Sequence, residues 1–577
     1  MLNRFFQQEL SHLRDLAAEF SRLHPALAPM LSGPTKDPDV ERLLEGTAFL
    51  TGLLRCKLDD DFPELIHGLA QLTFPHSLRP VPSTSMVVFA PKPNLKETMR
   101  IPAGTELASI PVEGTKCLFR TCYDLDVHPL KLTSAKLAER TGGSRSIQLS
   151  LQLSGLALNK WRPKSLRLHV SGQYAEATNL FELLLTRTER IVVRPLDGGS
   201  PLVLPPIRIK SAGFGRDEAL LPYPSQAFPG YRIIQEYFTL PEKFLFLDIS
   251  GLDGWQDPGA GSRFEIHFEL GQIPNDLPRV GAESFQLFAT PVVNVFTHDA
   301  APIRLDHRAS EYRILPEGGS SAQYQVFSVE KVVGIAQGSV KTREYTPFEI
   351  MKPSSTGNPV HYVNRRISPV SGLTEVLLSV AYPPGELPPE RETLAVSLLC
   401  TNAQLPERLR LGDINQPTST SPELCEFRNI RQPTPQVEPP MGRDQLWRLL
   451  SHMTLNLMSL ADASNLREIL KLSVHPSGRD RTLFEGNMKR LDGIEKLSVK
   501  AADRLVRGLL VRGNELSLTL NPDSFASRGD MYLFGCILDY FLGTYAQINT
   551  FTQLSVQDAL KGDTYRWPAR AGDKPLI

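Results

Sequence analysis

Cysteine is scarce: six residues in 577, namely Cys56, Cys117, Cys122, Cys400, Cys425 and Cys536. They form no C-x-x-C pair and no histidine-matched spacing, which excludes a disulfide framework and a structural zinc site and fits free thiols in a reducing compartment. Excess charge is missing too. Lys+Arg and Asp+Glu both number 63, with no basic tract, so no nucleic-acid partner is expected. A neutral chain has little colloidal repulsion, which suits a protein that ends inside an assembly. No long apolar run exists either. The longest, Met531 to Leu542, is about a dozen residues and contains Asp539, too short to cross a bilayer. The opening residues turn polar too early for a secretion signal, so a cytoplasmic protein without direct membrane insertion is expected.

Recognisable chemistry is the last absence. H-E-x-x-H, G-x-S-x-G, the P-loop and a complete G-x-G-x-x-G are all missing. Gly213-Phe214-Gly215 and Gly259-Ala260-Gly261 lack the third glycine and read as turns. His298-Asp299 and Asp306-His307 hold groups a metal or acid–base site could use, but Pro302 breaks any helical register between them and Ile303-Arg304-Leu305 reads as a strand. The sequence therefore predicts no catalytic, cofactor-binding or metal-binding residue, and no enzyme.

What is present is pattern. Phe6, Leu10, Leu13, Ala17 and Phe20 alternate spacings of four and three, one face of a helix that Pro25 ends. Asp37-Pro38 opens a second helix, carried on by Val40, Leu43, Leu44, Thr47, Leu50, Leu53 and Leu54; Asp59-Asp60-Asp61 reads as the cap of a third, starting at Pro63. Beyond Pro75, Pro80 and Pro82 the period changes to two. Ile147-Leu149-Leu151-Leu153, Leu166-Leu168-Val170 and Phe264-Ile266-Phe268-Leu270 each predict a strand with one buried face, hence antiparallel pairing. Gly142-Gly143 reads as a hairpin turn, Leu118 to Val127 as one strand, and Ala177 to Leu185 as a helix. Prolines from Pro383 to Pro440 predict an extended connector. Helical spacing resumes over Asp444 to Leu460. A strand near Leu509, a turn at Gly513-Asn514, a strand to Leu520, a helix over Met531 to Tyr545 and a strand from Ile548 follow. The expected fold class is multidomain α+β: a helical region over 1–82, a β-rich, largely antiparallel middle over 83–401 in two subdomains, a connector over 402–443 and a small α+β domain over 444–577.

Several stretches resemble the TssF family of type VI secretion baseplate proteins, also called VasA or ImpG. They are Glu9-Leu10-x-x-Leu13-Arg14-x-x-Ala17-x-Glu19-Phe20, Asp37-Pro38-Asp39-Val40-Glu41-Arg42-Leu43-Leu44-Glu45-Gly46 and Pro75-His76-x-x-Arg79-Pro80. Further along come Ala227-Phe228-Pro229-Gly230-Tyr231, Val293-Asn294-x-Phe296, Tyr532-Leu533-Phe534-Gly535 and Ile548-Asn549-x-Phe551-Thr552. Gln404 stands after Cys400-Thr401-Asn402-Ala403, where the family leads one to expect an acidic residue. The resemblance implies a structural wedge subunit: two copies clasp one TssG, TssK trimers attach, and wedges close around VgrG, with TssE nearby and the Hcp tube above. It also implies docking to the inner-membrane complex through the baseplate. Phe6, Leu10, Leu13, Ala17 and Phe20 are the expected contact with TssG or the second copy. Two other readings are a wedge protein of a contractile phage tail and, more remotely, a β-rich carbohydrate-active or lectin-like module.

Overall fold

The computed structural model describes residues 2–23, 38–73, 75–139, 145–223, 227–271, 277–318, 322–336, 342–348, 359–368, 374–383, 392–439, 451, 462–475, 481–506 and 509–572. They fall into two compact units, one of the described residues up to Leu78 and one of those from Arg79 onward.

Among the described residues, the smaller unit holds a pair of packed helices, α1 (Leu2–Leu23) and α2 (Pro38–Thr73), followed by a short 3-10 turn at Pro75–Leu78. Proline at the first position of α2 loses no intrahelical bond, because that N–H has no partner in a helix start. Pro63 corrects an expectation: no third helix begins there, and α2 runs through it. An internal proline costs about 3 kcal/mol, but strong helix formers on both sides keep the turns on either side helical.

In the larger unit, strands expected from alternation are found. Arg145–Leu153 lies between Leu130–Glu139 and Arg263–Leu270 in a five-stranded antiparallel sheet, with Leu149 opposite Ile266 and Ile147 opposite Phe268, all buried. The turn at Gly142-Gly143 lies outside the described residues, but Glu139 pairs with Arg145 on either side of it. A four-stranded sheet orders Ile209–Ala212, Phe246–Ser250, Ser165–Val170 and Phe285–Leu287. A larger sheet is built on Glu392–Thr401 and Gln325–Ala336. Antiparallel pairing dominates; Thr342–Pro347 with Val360–Ile367, and Leu509–Leu520 with Thr550–Asp558, are parallel.

Other expectations are corrected. Cys117 lies in Thr115–Thr121 and Cys122 just past it, while Leu125–Val127 pairs in a different sheet with Met99–Ile101. Part of the presumed connector is sheet: Ile414–Gln416 pairs with Glu106–Val112, and Cys425–Asn429 with Thr84–Pro91. Cys425–Asn429 stands at the edge of its sheet, holds no proline and buries Cys425, Phe427 and Asn429 alternately. Gly513-Asn514 is no turn. It sits within Leu509–Leu520, where Gly513 opposes Ala502 and a side chain would strike the Phe551 backbone. The helical spacing over 444–460 falls almost wholly outside the described residues.

Among the described residues, five α-helices complete this unit: α3 (Tyr174–Arg187), α4 (Pro229–Thr239), α5 (Ala463–Lys471), α6 (Arg481–Asp492) and α7 (Arg528–Gly543). The apolar α7 packs against α3 and α4, so one hydrophobic core runs from the middle sheets into the C-terminal elements.

Candidate partner-binding surface

The seam of α1 divides into two rows. Leu10 and Ala17, seven residues apart, are buried at 7% and 9% exposure. Phe6 and Leu13 are half-buried and Phe20 is 44% exposed, with Leu16 beside it also exposed. The structure thus places all five expected residues on one helix but buries only two of them. Arg14 ties α1 to α2 through Glu41 at 2.7 Å, a solvent-facing pair worth well under about 1 kcal/mol.

The sequence predicts one continuing apolar stripe along α2, and the structure splits its residues by face. Ala48, Gly52 and Ala70 are buried, lie on one side by the 3.6-residue period, and are all small, so a neighbour can approach the backbone closely. Leu43, Leu50 and Leu53 fall on other sides and are 73%, 62% and 41% exposed. Phe49 and Leu69 are exposed as well. A helix of about 54 Å with small residues buried and large apolar ones in water is apolar on two sides. The signal was legible as Ala48 and Gly52 out of phase with Leu43 and Leu50.

The one titratable cluster singled out does not converge. His298 bonds the Glu317 carbonyl at 2.8 Å and stacks on Tyr324; Asp306 accepts from the Arg308 N–H and the Tyr312 hydroxyl. Those two bonds hold the Asp306 carboxyl below its ordinary range. His307 has a left-handed backbone, with φ of 56°. No group of three His, Cys, Asp or Glu residues suited to a metal occurs among the described residues. The described cysteines are free and buried, and burial pushes the thiols of Cys122, Cys400 and Cys536 up to about 12, far from thiolate chemistry at neutral pH. No helix among the described residues is long and apolar enough to cross a membrane.

Residues 1–574 match the family described as "Type VI secretion system, TssF". The chain is 30% identical to the type VI secretion system component TssF1 of Pseudomonas aeruginosa, over 100% of this chain and 99% of that protein. A chain of the TssK-TssF-TssG baseplate subcomplex solved by cryo-electron microscopy superposes with a TM-score of 0.74 at 28% identity, covering 92% of this chain and 99% of its own. A chain of a type VI baseplate complex gives 0.63 at 26% identity, with both chains fully covered. With the family match running almost end to end, the chain belongs to the TssF family of the type VI secretion system.

Proposed function

We propose that the chain is a structural wedge subunit of the type VI baseplate, binding TssG, a second copy of itself and TssK, and that its work is mechanical rather than enzymatic. Its full-length likeness to a chain of the TssK-TssF-TssG subcomplex is the observation that carries this reading. In the assembled baseplate it stands near TssE and around VgrG and Hcp, in the cytoplasm and docked to the inner-membrane complex. The region over residues 1–82 serves as the partner-binding module and the β-rich remainder as scaffold.

The exposed large-residue side of α2, with Leu13, Leu16 and Phe20 of α1, is the surface we assign to the partner bundle. Burying one leucine is worth about 1.5–3 kcal/mol before association costs. Leu43→Asp with Leu50→Asp is therefore expected to weaken the complex with co-expressed TssG at least about tenfold, read by co-purification and sedimentation. An intact complex would remove this surface from consideration. Leu10 is a poor place for the same test, since a charge there breaks the internal packing of the helix pair itself.

A further inference from the structure

An open cleft of about 530 Å³ in the larger unit lies between Arg120–Cys122 and the start of α4. Its charged lining among the described residues is Arg120, Arg216 and Arg232, with no acidic residue. The side chains of Arg120 and Arg216 have no hydrogen-bond or ion-pair partner among the described residues. Behind the wall, buried Arg232 donates to Glu236 at 3.2 Å and to the carbonyls of Phe214 and Gly215. Buried Lys243 donates to the same carboxylate and to the Gly213 carbonyl. Two cations thus share one carboxylate. Burial lowers the Lys243 pKa, Glu236 opposes that, and the Arg232 charge lowers it further.

Positive charge is left over in the lining, where Arg120 is half-buried and Arg216 exposed. A concave, low-dielectric wall of one sign concentrates the field, and buried charge is tolerated only when something answers it. The adjoining cleft of about 370 Å³ is a contrast. Its lining is of the opposite sign: Asp124 pairs with Arg100, Glu218 and Asp248 share Arg167, and Asp126 and Asp217 add further carboxylates. Cys122 reaches the arginine cleft, but its thiol is within hydrogen-bonding distance (3.5 Å) of the Leu220 carbonyl, and the site has no nucleophile.

The remaining lining decides what kind of anion fits. Leu220, Leu221, Pro222 and Val293 give apolar walls that would desolvate a phosphate without compensation but suit a carboxylate on an apolar backbone. Resting on the wedge reading above, we propose that the cleft receives a segment of a neighbouring baseplate subunit in which an aspartate or glutamate is flanked by apolar residues.

The test uses the full chain, wild type and R120E/R216E, against overlapping peptides of about 15 residues tiling the cognate TssG and TssK. Binding is expected only for peptides with an acidic residue between apolar ones. It should fall at least about tenfold in R120E/R216E, and equally when the peptide's carboxylate becomes an amide. Three results overturn the proposal: no peptide binding below about 1 mM, binding indifferent to the charge reversal, or inorganic phosphate as the only arginine-dependent ligand. Co-purification of the wild-type chain with TssG reads the wedge role separately. If no peptide binds while TssG co-purifies, the cleft assignment alone fails; if wild type does not co-purify either, the wedge reading fails with it.

Discussion

Asn294 and Asn402 stand 108 residues apart and hold each other. The Asn294 amide donates to the Asn402 side-chain oxygen at 2.8 Å and to the Leu118 carbonyl, while its own oxygen accepts from the Asn402 backbone N–H. Both are fully buried where the chain passes between sheets, so every lost bond leaves a group that water cannot reach. Asn294→Ala is expected to destabilise the larger unit by about 2–4 kcal/mol, measured as a shift of the urea midpoint, whereas a change under about 0.5 kcal/mol would show the pair to be dispensable. Asn294 and Asn402 were visible in the sequence only as parts of short motifs; a hydrogen-bonded pair has no periodicity, so nothing local predicted their meeting. Asp539 gives a second prediction. Burial raises its carboxyl to about 6 from the ordinary 3.8, against the opposing Arg570 at 2.5 Å. Between those values the folded chain binds the proton more readily than the unfolded one, so stability falls as pH rises through that window and levels off above it. Asp539→Asn has no such titration. Its stability relative to wild type should therefore improve by about 2 kcal/mol between pH 4 and pH 7, and a pH-independent gap would contradict this.

Among the elements, the contact of α3 with α7 is set by a missing side chain. A Cβ on Gly529 would run into the backbone of Thr178 and Asn179, and the Gly529 N–H donates to the Asn179 side chain at 2.8 Å. A hydroxyl–hydroxyl hydrogen bond at 2.9 Å also joins Thr178 of α3 to Ser527, the residue that caps α7. Gly529→Ala must push the helices apart and is expected to cost about 1–3 kcal/mol, checked by thermal unfolding of the variant beside Gly486→Ala, where nothing stands in the way. Equal effects at both positions would rule out the backbone contact as the cause. Strands with four alternating apolar residues were legible because one face is buried along their whole length. Cys425–Asn429 was not, because five residues amid prolines carry a weak alternation that the surrounding composition outweighs. Continuity through Pro63 was equally hidden: a local penalty was read as a boundary, and the flanking turns overrode it.

For the whole molecule, exposed apolar side chains on α1 and α2 set the solution behaviour. With zero net charge and little repulsion to offset them, the chain expressed alone should self-associate, and co-expression with TssG should yield a monodisperse complex, seen by light scattering. A stable, monodisperse chain without TssG would count against that view. The order of the six-stranded sheet has another outcome, one of timing. Thr84–Pro91 lies between Ala289–Val293 and Cys425–Asn429, so its two neighbours are made long after it. At roughly 5–20 residues per second, the ribosome takes on the order of tens of seconds to move from Pro91 to Asn429. For that interval a strand carrying Met86, Val87, Val88 and Phe89 in a row waits with an open edge, and chaperone occupancy on the nascent chain should persist until residue 429 has cleared the exit tunnel.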